Sequence, residues 1–174
     1  MRSRNAENPA SLTSVIVISD NSALSALAEA ELLDLLPRLF GVVVIPEAVC
    51  RECGHPRAPR ILRDWIARPP EWLQIVPDPV SLLAETGNLG PGEAAAITVA
   101  WEHRHECRLI LDEKRGRRIA EALGLPKTGV LGIIADAASR GWLDFDDAVA
   151  RLRATGFHLA DVLIESVRSK LDGS

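Results

Sequence analysis

Apolar runs alternate along the chain with segments of helical periodicity. Residues 15–18 are four β-branched residues in a row, which read as a strand buried on both faces inside a parallel sheet. Residues 22–39 carry leucines at 24, 27, 32, 35, 36 and 39, a helical spacing that Pro37 is expected to bend or divide. Residues 42–45 repeat the apolar strand pattern, and Pro46 is expected at the favoured first position of the next helix. An amphipathic helix is predicted over 58–68, stopped by Pro69 and Pro70. "WLQIV" at 72–76 predicts a short edge strand, and residues 79–85 a helix in otherwise loop-rich sequence. From Ala94 to Trp101 the chain is apolar on nearly every side, which predicts a buried helix. "CRLILDE" reads as a strand, "GRRIAEALG" as a helix closed by glycine, and "LPKTG" as a short strand or turn. Three helices follow, at 129–140, 144–155 and 159–171. Strands alternating with helices predict an α/β domain with a mostly parallel central sheet. No internal repeat or linker divides 15–171, so a single domain is expected.

Composition narrows the class. The 174 residues suffice for one sizeable core, and 47% apolar with 25% charged residues suits a globular protein. Three cysteines point to a reducing, cytoplasmic setting rather than a disulfide scaffold. No segment has the length of a membrane span. Residues 1–14 lack the apolar stretch of a secretory signal and are expected to be a flexible polar lead-in. Net charge is −4, yet only three of the 20 basic residues are lysine. Arginine suits bidentate contact with phosphate and carboxylate.

The candidate chemistry lies in carboxylates at the ends of apolar strands. "VIVISD" ends in Asp20 and "LILD" in Asp112. Two parallel strands ending this way put both acids on one rim, where open α/β sheets bind ligands. Asp20, Asn21 and Ser22 are equally suited to cap the following helix. Glu93 falls in the first turn of the buried helix and shares a face with Ile97, Ala100 and Trp101. Glu52 stands one helical turn beyond Ala48 and Val49. Converging carboxylates repel, and proteins relieve this by protonation or by a bound cation. Oxygen donors alone suit Mg²⁺ or Mn²⁺, ions that support phosphodiester hydrolysis.

The segments "VISDNSALSALA", "VVIPEAVCREC", "GPGEAAAITVA", "LILDEKRGRRIAEALGL", "TGVLGIIADAASRGW" and "GFHLADVLIESV", in this order, resemble a PIN domain, in a subgroup of nucleic-acid-binding PIN-like proteins. The resemblance implies a Rossmann-like three-layer fold and a Mg²⁺- or Mn²⁺-dependent ribonuclease site of Asp20, Glu52, Glu93 and Asp112, with Glu52 acting directly or through water. It implies that Ser22 lines the site beside Asn21. Many relatives are toxins of toxin–antitoxin pairs and form homodimers, so RNA, a small antitoxin and a second copy are the partners it implies. Asn21 departs from the usual Thr or Ser, and "LILDE" lacks the hydroxyl residue that usually precedes the last acid. Glu113 can therefore share or replace part of the role of Asp112.

Other signals are weighed against this reading. Arg104, Arg108, Lys114, Arg115, Arg117 and Arg118 cluster in sequence around Asp112. Lys114, Arg115, Arg117 and Arg118 are candidates for holding an RNA backbone, or else form a solvated face with neighbouring glutamates. Cys50 and Cys53 form a C-x-x-C, but inside an expected helix and without a second pair, so they read as small buried residues rather than zinc ligands. His103 and His105 read as solvated groups at a helix end. The rival functions are a catalytically silent PIN scaffold that binds nucleic acid or protein, and a phospho-receiver domain using Lys127. The second lacks the paired acids expected after the first strand.

Overall fold

The structure is a computed structural model that describes residues 15–173; the polar lead-in expected at 1–14 lies outside them. Five parallel strands form the sheet: β1 (Ile16–Ser19), β2 (Val43–Pro46), β3 (Leu73–Val76), β4 (Cys107–Ile110) and β5 (Lys127–Thr128). Their order is β3-β2-β1-β4-β5. In register, Ile18 pairs with Val44 on one side of β1 and with Leu109 on the other. The chain therefore runs outward from β1 to β3, then returns to the far side of β1 for β4 and β5. That reversal opens a crevice at the carboxyl ends of β1 and β4. The central strands β2, β1 and β4 are short and mostly apolar because helices cover both faces, giving a three-layer α/β domain. Ile18, Val43, Ile45, Leu109 and Ile110 are fully buried.

The expected long helix is two helices, α1 (Asn21–Glu29) and α2 (Leu35–Phe40). Pro37 does not divide them. The break falls at residues 30–34, where Glu31 adopts φ 56°, and Pro37 sits in the first turn of α2, where its missing N–H removes no helical bond. Pro46 is the last residue of β2 and the N-cap of α3 (Glu47–Cys53) rather than its first residue. Its ring cannot cap with a side chain, and Asp78 does so from 30 residues away, accepting from the Ala48 N–H at 2.7 Å and pairing with Arg51 at 2.6 Å. This clamp holds α3 against β3.

Helix α4 spans Arg60–Ala67. The helix expected at 79–85 is absent; the segment is irregular, bending at residues 80–81, apart from a single 3₁₀ turn at Ala84–Thr86. Helix α5 (Pro91–Glu102) is buried continuously from Ala94 to Ala100 and packs against β1, β2, β4 and α3. Helix α6 (Lys114–Ala122) starts two residues earlier than the glycine pattern predicts, because Glu113 caps it. Gly124, at φ 68°, ends that helical stretch in the left-handed region glycine favours. Helices α7 (Val130–Ser139), α8 (Phe145–Ala154) and α9 (Asp161–Asp172) follow, α7 packing against both later helices. Among the described residues no helix is long and apolar enough to cross a membrane.

Candidate functional site

Asp20 leaves β1 at the crevice and enters α1, and its carboxylate has two tasks. Oδ1 accepts from the Ala23 N–H at 3.0 Å, so it caps the helix; Oδ2 accepts from the Ser22 hydroxyl at 2.5 Å. The residue is only 2% exposed. Burial pushes its pKa up to about 6 against the pull of those two hydrogen bonds, and the charges of Asp112 and Glu52 push the same way. Helix cap and buried acid are thus one residue.

Glu52 reaches the site from the last turn of α3. Its Oε1 accepts from the Gly92 N–H at 2.8 Å, at the positive end of α5. A Cβ at Gly92 would overlap this carboxylate, so glycine there is what admits Glu52. Glu93, the next residue, lies over Gly116 of α6, where a Cβ would again collide with a carboxylate oxygen. Glu93 Oε1 is buried and has no hydrogen-bond partner. Burial raises its pKa to about 7, with the charges of Asp20, Glu113 and Glu52 adding and Arg115 opposing.

Asp112 and Glu113 divide a role the sequence leaves joint. Asp112 Oδ2 accepts from the Val130 N–H at 2.9 Å, tying the end of β4 to the start of α7. Gly129 leaves room for this, since a Cβ there would stand 2.5 Å from Asp112 Oδ1. Burial raises the Asp112 pKa, opposed by the Val130 hydrogen bond and the Arg117 charge. Glu113 caps α6 through Arg115 N–H at 2.9 Å. A cavity of about 180 Å³ is lined by Asp20, Asn21, Ser22, Glu52, Gly90, Glu93 and Glu113. Asp112 stands behind it, close enough to repel Asp20 but not on its wall.

The basic residues separate in space. Arg104 stacks over Trp101 at 4.6 Å. Arg108 lines a depression with Val15 and Val17, toward the amino ends of the strands. Arg115 donates to Asn88 O at 3.0 Å, and Arg117 to Leu111 O at 2.6 Å. Lys114 and Arg118 are exposed. Cys50 and Cys53 do lie within α3 as free thiols.

A family model described as a PIN domain matches residues 16–173. The chain belongs to the PIN-domain family. No curated protein matches it. The acids of this PIN domain are all oxygen donors, three have raised pKa values and one buried oxygen is unpaired, so the donor set suits the divalent ions PIN domains typically use. Among the described residues, however, no three His, Cys, Asp or Glu side chains stand where one ion could be held. Several carboxylate oxygens are instead turned onto backbone N–H groups. The sequence pointed to all the acids. It missed Gly92, Gly116 and Gly129, whose signal was a glycine inside or beside a helix without a turn to explain it.

Proposed function

We propose that this PIN domain is a Mg²⁺- or Mn²⁺-dependent endoribonuclease. The observation that carries the reading is the wall of Asp20, Glu52, Glu93 and Glu113 on one cavity at the switch point of the sheet, with two pKa values raised toward neutrality. Asp20 and Glu93 would hold the metal, with Glu52 and Glu113 completing the site once their carboxylates turn inward. Asp112 would act from behind, fixing the β4 end and adding negative charge. A divalent ion supplies the Lewis acidity for phosphodiester hydrolysis. The protein's own part is to keep Asp20 rigid through Ala23 and Ser22, and to keep Glu93 free of competing donors. Lys114 and Arg118, exposed beside the acids, would meet the RNA backbone, with Arg115 and Arg117 contributing charge from their anchored positions. The same proposal takes the protein to be a cytoplasmic toxin, acting as a homodimer and restrained by a small antitoxin protein.

A catalytically silent scaffold is the second reading, favoured by the lack among the described residues of any trio placed to hold one ion. Incubation of single-stranded RNA with wild type and Glu93→Gln, in Mn²⁺ and in EDTA, decides between them. The nuclease reading expects cleavage only by wild type with Mn²⁺. RNA bound but uncut by both proteins would leave the scaffold.

A further inference from the structure

A second groove leaves the acidic cavity along α1 toward the turn between α3 and α4. It measures about 430 Å³ and is lined by Asn21, Ser25, Glu29, Glu52, His55 and Arg57, with Ala58 and Pro59 at its end. Asn21 and Glu52 line both spaces, so the groove is continuous with the acids. Its volume falls within the roughly 300–1,000 Å³ of small-molecule sites.

We propose that this groove seats the nucleotide next to the cleaved phosphodiester of a single-stranded RNA, with Asn21 as its fixed hydrogen-bond donor and Arg57 as its phosphate contact. The inference rests on the nuclease reading above. Asn21 Oδ1 accepts from the Ser25 hydroxyl and from the Cys53 thiol, each at 3.2 Å. Both lone pairs are taken on the protein side, which leaves the NH₂ for a ligand. Cys53 is fully buried, so its S–H has no solvent partner to draw it away from Asn21 Oδ1. The second cysteine of the C-x-x-C thereby aims an amide.

His55 Nδ1 accepts from the Arg57 N–H at 3.1 Å. With Nδ1 taken by that N–H, Nε2 is the ring nitrogen left for the groove. The Arg57 guanidinium has no hydrogen bond or ion pair with any described residue. Glu29 and Glu52 disfavour a phosphate deep in the groove, so the base enters and the phosphate stays at Arg57. Glu29 accepts from an exocyclic amino group, which favours cytosine or adenine over uracil. No Phe or Trp lines the groove, so hydrogen bonds rather than stacking set this preference.

The test uses labelled oligomers of A, C and U in fluorescence anisotropy with Ca²⁺, and cleavage with Mn²⁺. Asn21→Asp keeps the side-chain shape and puts an acid at the first position of α1, where the dipole favours it. Wild type should bind oligo(C) and oligo(A) more tightly than oligo(U). Asn21→Asp should weaken binding by about two- to tenfold, the usual worth of one hydrogen bond. Arg57→Ala, on an exposed turn, should flatten the log-affinity versus log-salt slope by roughly 0.7. Arg63→Ala, a cation on α4 that does not line the groove, is the control and should leave the slope alone. If wild type binds and cuts RNA while Asn21→Asp and Arg57→Ala match it in affinity and slope, the groove proposal falls and the nuclease reading stands. If wild type neither binds nor cuts, both fall.

Discussion

Asp20→Asn isolates the cost of burying a carboxylate at the crevice. Asparagine caps a helix about as well as aspartate, so its Oδ1 can keep the Ala23 N–H, and the Ser22 hydroxyl can rotate to accept from the new amide. What the substitution removes is a charge on a group only 2% exposed. The native pKa lies at about 6, above its ordinary 3.8. A group that holds its proton more tightly when folded stabilises the fold at low pH and loses that contribution as pH rises from about 4 to about 6. Above that window the wild type carries the full penalty of roughly two pKa units, or about 3 kcal/mol. Asp20→Asn carries none of it. Urea unfolding in EDTA, followed by the fluorescence of the four tryptophans, should give matching stabilities near pH 4. Near pH 8 the variant should be more stable by up to about 3 kcal/mol, equivalent to about 6–12 °C in Tm for a domain of this size. Adding Mn²⁺ at pH 8 should stabilise wild type by mass action and the variant much less. A constant stability difference from pH 4 to pH 8 would refute the assignment of Asp20 as a buried acid. An equal Mn²⁺ response in both proteins would remove it from the metal site.

The remaining predictions concern its neighbours. Gly116→Ala should destabilise by about 1–3 kcal/mol, the usual cost of overpacking, because its methyl meets Glu93; chemical unfolding should find most of this loss relieved in the Gly116→Ala/Glu93→Ala double variant. Replacing Lys114 and Arg118 together by alanine should flatten the salt dependence of RNA binding by roughly 1.4, at about 0.7 per contact. Arg117→Ala should instead lower thermal stability, since it breaks the bond to Leu111 O; an unchanged melting temperature would count against that anchor. Protons and a metal compete for Asp20 and Glu93, whose pKa values lie at about 6 and 7. The thermal shift induced by Mn²⁺ should therefore grow between pH 5 and pH 8, and a pH-independent shift would place the ion elsewhere.

Much of this PIN domain follows from rules that act within a few residues. Buried parallel strands need near-continuous apolar runs, and 15–18, 42–45 and 109–111 declare them. A helix apolar all round, as at Ala94–Trp101, has no solvent face to present. Strand-end acids such as Asp20 and Asp112 are visible because the strand itself is so apolar. The errors arise where partners are distant. The break between α1 and α2 depends on a left-handed Glu31, not on Pro37, and the segment at 79–85 forms no α-helix, with Asp78 just before it committed to capping α3. The site shows the same division. Residue type and strand ends reveal which acids are present, but the direction of each carboxylate is set by a backbone N–H on another element. Glu52 is held by Gly92, 40 residues away, and Asp112 by Val130, 18 residues away. Only the folded chain could therefore decide that Glu113 rather than Asp112 lines the cavity, because no local pattern says which helix start will claim a given oxygen.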